Sequence, residues 1–213
     1  MAVFFACLAP IGVLGWKALH GGLTANPIEF VEHWFGDWTM RFLLLTLAVT
    51  PARKLLHLPL LIRYRRLLGL FAFFYVCLHF LAWVVLDHFF AWHEMWADVL
   101  KRRFITVGFA GFVLLVPLAI TSTKAWIRRL GKRWQRLHRL VYATAVLGVI
   151  HYWWLVKSDH TKPLQYAVIL AALFAARAVA SVLEKHRRPT ASPRPRAEVL
   201  TAESALSGEA TSR

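Results

Sequence analysis

The 213-residue sequence predicts an all-α membrane protein of six transmembrane helices, and three observations predict it. Hydrophobic residues make up 58% of the chain and charged residues only 17%. The apolar residues fall in blocks close to the roughly 20 residues that a hydrocarbon core of about 30 Å requires, rather than in amphipathic stripes. The formal charge of +15 is concentrated between those blocks.

The blocks cover residues 3–19, 39–56, 67–90, 104–120, 137–156 and 164–183. Each is expected to be helical, because backbone groups in hydrocarbon must pair within their own segment, and these blocks are too long and uniform for a barrel. The first opens MAVFFACLAPIGVLGW, without a basic n-region or a small-residue cleavage site, and reads as a retained span. Cys7 and Cys77 both lie in apolar blocks, with no CxxC or CxxCH. Disulfide staples, zinc ribbons and covalently attached c-type haem are thereby disfavoured.

The connections give the orientation. Arg53, Lys54, Arg63, Arg65 and Arg66 follow the second block; Lys124, Arg128, Arg129, Lys132, Arg133 and Arg136 follow the fourth; Lys185, Arg187, Arg188, Arg194 and Arg196 follow the sixth. Residues 20–38 contain no Lys or Arg but contain Glu29, Glu32 and Asp37. The positive-inside rule then puts both termini in the cytoplasm, with Lys101, Arg102 and Arg103 a local exception on the outer side. No polar domain exists to present a basic face to nucleic acid, so the charge reads as topology. Trp34, Trp38, Trp92, Trp96, Trp126, Trp134, Trp153 and Trp154 sit near block ends, as interfacial aromatic belts do. Residues 1–185 are expected to form the transmembrane domain. The Pro-, Ala-, Ser- and Thr-rich residues 186–213 are expected to be a disordered cytoplasmic tail.

Most of the ten histidines fall in connections or at block ends. His88, His93, Glu94 and Asp98 share one outer connection, but their spacing matches no tight metal-ligand pattern. His79 and His151 differ, because each lies inside an apolar block, where an ionisable group is by default a functional hypothesis. The third and fifth blocks run in the same direction. His79 is 12 residues beyond Leu67 and His151 is 14 beyond Leu137, which puts both roughly 18–21 Å in at 1.5 Å per residue. Level imidazoles on two helices suit the axial ligands of a haem iron, Nε2 to the metal and Nδ1 free to donate to a carbonyl. A structural hydrogen-bonded pair and a proton relay are the alternatives. The relay would call for carboxylates inside the spans, which are essentially missing.

His138, 13 residues before His151 and about 20 Å away along a helix axis, suggests a second tier. A 13-residue step lands some 140° off the face of His151, so the two share a face only if the helix end is distorted. At the matching height of the third block stands Arg65, either a cytoplasmic anchor, a propionate or flavin-phosphate clamp, or an unusual partner for a second iron.

RRLLGLFAFFYVCLHF from Arg65 to Phe80, GKRWQRLHRLVY from Gly131 to Tyr142, and His151 with Trp153 together resemble the ferric-reductase-like transmembrane family, in its branch devoted to methionine sulfoxide repair. The resemblance covers essentially all six blocks. It implies a multi-pass haem b subunit of a bacterial inner membrane. Such a subunit takes electrons from the quinone pool and delivers them to a periplasmic molybdopterin methionine sulfoxide reductase, MsrP, as a heterodimer. FMN is also associated with the family. By position, His79, His138 and His151 match the haem histidines, with Arg65 where a two-haem relative has a fourth, so one or two haems are implied. The chain is thus expected to carry electrons rather than to be the catalytic subunit. No glycine-rich dinucleotide fingerprint is present, so electrons must come from a quinol or a separate soluble flavin reductase. A stand-alone metal reductase or quinol-linked b-type cytochrome, and a proton-conducting transporter, are the rival readings.

Overall fold

The computed structural model describes residues 1–187; of the tail expected over residues 186–213, the first two residues end a helix and residues 188–213 lie outside the described residues. Residues Met1–Ala175 form one compact unit. Among the described residues the secondary structure is helical, with no strand. The helices are α1 (Ala2–Leu19), α2 (Pro27–Leu55), α3 (Ile62–Ala82), α4 (Trp92–Lys101), α5 (Arg103–Ile120), α6 (Lys124–Leu130), α7 (Lys132–Leu137), α8 (Leu140–Leu155) and α9 (Thr161–Arg187). A 3-10 turn at Pro59–Leu61 leads into α3, and a π-helical turn at Trp83–Asp87 leads out of it.

Four segments are long and apolar enough to cross a membrane: Ala2–Leu19, Pro59–Asp87, Arg103–Ile120 and Thr161–Leu183. The second and fifth predicted blocks are helical too, but α8 has only 16 residues and α2 carries polar residues in its first half. α2 starts well before residue 39 because its end is built for a helix start. The Asn26 side chain accepts from the Glu29 amide at 3.3 Å and donates to the Glu29 carboxylate at 3.1 Å, and Pro27 occupies the first turn. Arg53 and Lys54 close α2 on the side its dipole favours. The connection between the third and fourth blocks, expected to be a loop, contains α4.

α2 packs along α3, and α5 along α8. The core of the first pair runs through Phe42, Leu43, Leu47, Phe71, Ala72 and Tyr75, all buried. Burying each such large apolar side chain contributes about 1.5–3 kcal/mol against water, and against lipid the gain comes from packing. The Tyr75 hydroxyl donates to the Cys7 carbonyl at 2.8 Å and the Trp34 indole to the Pro10 carbonyl at 3.1 Å, which ties α1 to the pair. Phe80 stacks on Phe112 at 4.9 Å, bridging α3 and α5.

One expectation needs correction. Asp37 is not in an outer loop but buried in α2, where Lys162 lies 3.1 Å from one carboxylate oxygen and the Tyr166 hydroxyl donates to the other at 3.4 Å. A buried carboxylate is tolerable here because it is paired and hydrogen-bonded.

Candidate cofactor site

Between the two helix pairs lies a cavity of about 570 Å³, within the range of roughly 300–1,000 Å³ typical of ligand and cofactor sites. Its walls are largely apolar, with Val76 and Phe80 from α3, Leu43 from α2, and Phe109, Phe112 and Leu115 from α5. His79 and His151 both line it. Their ring centroids stand 6.2 Å apart, with planes at 76°.

Each ring is held in the same way. His79 Nδ1 donates to the Glu32 carbonyl of α2 at 2.9 Å, and His151 Nδ1 donates to the Phe104 carbonyl of α5 at 2.7 Å. A carbonyl can only accept, so both Nδ1 atoms carry the proton and each Nε2 is left as the bare, lone-pair nitrogen.

The approach of His151 to its carbonyl depends on a glycine one helical turn further on, and a second glycine stands at the corresponding place beside His79. A carbonyl at position i of a helix points toward residue i+4, so a ring reaching it passes near the Cβ position of that residue. Residue 36 is glycine, and a Cβ there would lie 3.4 Å from His79 Cε1. Residue 108 is also glycine, and a Cβ there would lie 2.6 Å from His151 Nδ1 and 2.8 Å from Cε1. A third glycine, Gly148, lets α8 approach α2: its Cβ would fall 2.7 Å from Met40 Sδ. None of the three was singled out from the sequence. The available signal was a glycine inside an otherwise apolar helical block.

The cavity becomes polar toward the N-terminal end of α2, where Glu29, Glu32, His33, Asp87 and Arg102 line it. Glu32 Oε1 is buried without a hydrogen-bond partner. Burial, then the nearby Asp87 and Glu29 carboxylates, push the Glu32 carboxyl up to about 7.

His138 and Arg65 are not part of this cavity. His138 sits in the break between α7 and α8. Its Nε2 lies 3.1 Å from the Thr121 hydroxyl, and its ring stacks on Trp134 at 4.0 Å. Arg65, in the first turn of α3, is the charged group that bears on it. In the outer connection, His88 contacts Asp87 at 3.3 Å and Asp98 at 3.4 Å, and no metal-holding cluster of three or more such residues exists among the described residues.

The residues present fit an iron porphyrin's axial demands. His79 and His151 would hold a haem iron through Nε2, and the Nδ1 anchors supply the fixed tautomer such ligands need.

Fold and site together define an all-α membrane protein with a tautomer-fixed histidine pair in a cavity between two helix pairs. Residues 35–149 match the family model described as ferric reductase like transmembrane component. The chain is 55% identical over 178 residues to a protein of Herminiimonas arsenicoxydans, covering 82% of each chain. It is 53% identical over 194 residues to one of Rhodospirillum rubrum, covering 91% of this chain and 92% of the relative. With one of Caulobacter vibrioides the identity is 52% over 172 residues, covering 80% and 82%. All three are named protein-methionine-sulfoxide reductase heme-binding subunit MsrQ. No solved structure matches the chain. The chain belongs to the ferric-reductase-like transmembrane family, in the MsrQ branch that these relatives represent.

Proposed function

We propose that this chain is a haem-binding membrane subunit of a methionine sulfoxide reductase system, with His79 and His151 as the axial pair. The observation that carries the proposal is the pair itself: two imidazoles from different helices, 6.2 Å apart, each donating Nδ1–H to a main-chain carbonyl. The names of the MsrQ relatives support it. When bound, the haem supplies one-electron redox chemistry. The chain's own residues would bind and orient it: His79 and His151 present unprotonated Nε2 atoms, Gly108 admits the His151 ring, and the phenylalanines exclude water.

In the finer reading, α2 and α8 complete six spans in a bacterial inner membrane, with both termini cytoplasmic. Both histidines lie near the C-terminal ends of helices that run outward, which puts the pair toward the periplasmic side. Electrons arrive from a quinol or a soluble flavin reductase and leave to a periplasmic molybdopterin partner of the MsrP kind, as a heterodimer. This chain is then the carrier, and the partner is the catalytic subunit. His138 and Arg65 form the inner site where a second haem or an FMN phosphate would be held. A haem there would require His138 Nε2 to exchange Thr121 for iron.

The deciding measurement is a dithionite-reduced minus oxidised spectrum of the purified protein, with pyridine haemochrome quantitation. His79→Ala and His151→Ala should each abolish the bis-histidine signal, and His138→Ala should reduce it only in part. Purified protein free of porphyrin, or both single variants with an intact spectrum, would refute the assignment.

A further inference from the structure

Lys101, Arg102 and Arg103 break the charge asymmetry of the chain, and the helix beside them gives a reason. α4 displays apolar residues on two adjoining stripes. Met95 and Val99 are buried, while Trp92, Trp96 and Leu100, spaced by four, are 66%, 60% and 67% exposed. Phe89 and Phe90 precede the helix, at φ +45° and +63°, and are 76% and 52% exposed. The left-handed region is costly for such bulky residues, so these rings are held outward at an energetic cost.

Both ends of α4 are fixed to segments long and apolar enough to span. Residues Pro59–Asp87 end two residues before Phe89, and Arg103–Ile120 begins two residues after Lys101. Asp98 reaches both ends, 3.4 Å from His88 and 3.1 Å from Arg102, and the Thr106 hydroxyl of α5 donates to the Val99 carbonyl at 2.5 Å. The ten residues of α4, about 15 Å of helix, thus connect the ends of two segments long and apolar enough to span.

We propose that α4 is an interfacial helix that docks on an anionic lipid surface. Phe89, Phe90, Trp92, Trp96 and Leu100 enter the headgroup–acyl boundary, and Lys101 and Arg103 bind headgroup phosphates. The aromatic stripe supplies the apolar contact and the cluster supplies the charge complementarity. The inference rests on the spans and not on the haem.

The test uses the full chain carrying Cys7→Ser and Cys77→Ser, spin-labelled at Trp96→Cys or Glu94→Cys, in phosphatidylcholine vesicles with and without phosphatidylglycerol. Collision with oxygen, which partitions into lipid, relative to a water-soluble nickel chelate should be several-fold higher at position 96 than at 94. Leu100→Cys repeats the reading if the first variant does not fold. Equal values at 96 and 94 would overturn the proposal and leave the stripe open to a soluble protein. In the otherwise unaltered chain, preference for spin-labelled phosphatidylglycerol over phosphatidylcholine should fall roughly fivefold for each charge removed in Lys101→Gln and Arg103→Gln. An unchanged preference would overturn the assignment of those charges to headgroups.

Discussion

Gly108→Ala should disable the site although alanine is the better helix residue. In an α-helix interior the replacement is favoured by about 1 kcal/mol, so propensity alone predicts a slightly stabilised α5. The new methyl carbon would lie 2.6 Å from His151 Nδ1, 2.8 Å from Cε1 and 3.1 Å from Cγ. Non-bonded heavy atoms prefer about 3.5–4.0 Å, so the ring must retreat by roughly 1 Å. A retreat of that size takes the 2.7 Å bond to the Phe104 carbonyl beyond hydrogen-bonding range. The lost bond costs about 1 kcal/mol and the overpacking about 1–3 kcal/mol, enough to loosen the site without unfolding the chain. Haem per protein and the reduced-minus-oxidised spectrum are the assay. Gly108→Ala should lose most of its bis-histidine haem, whereas Gly36→Ala, with its nearest ring atom 3.4 Å away, should keep nearly all. Full haem content in Gly108→Ala, or equal damage from both variants, would show that Gly108 is not what admits the His151 ring.

Two further outcomes follow from the packing. Tyr75→Phe removes the bond to the Cys7 carbonyl and should lower stability by about 1 kcal/mol, read as a lower melting temperature in detergent. Asp37→Asn weakens the contacts to Lys162 and Tyr166 and should cost about 1–3 kcal/mol; pairing it with Lys162→Met should cost less than the two single changes added together, and strict additivity would show that the two residues are not coupled.

Much of the fold was legible in the sequence because burial in lipid leaves a signature of length and composition. α1, α3, α5 and α9 announce themselves this way. The start of α2 did not, because Glu29, Glu32 and Asp37 resemble a polar loop until Asn26 is seen capping the helix and Lys162 is seen pairing with Asp37. α4 was missed because a ten-residue amphipathic helix lacks a spanning block's uniform hydropathy. The common height of His79 and His151 could be counted along two helices running in the same direction. What counting could not supply was the facing carbonyls, since Glu32 and Phe104 are both 47 residues from the histidines they hold, and which turns meet depends on how the helices pack. Gly108 was silent for the same reason: its role is a space, and only the ring that enters it makes it visible.

The histidine anchors also bear on how freely the chain can vary. Both acceptors belong to the main chain, so a new side chain at position 32 or 104 does not delete the group that fixes the tautomer. Mutational tolerance is therefore divided unevenly within one helical turn. The acceptor positions can explore many residue types, whereas any Cβ at position 108 displaces the His151 ring.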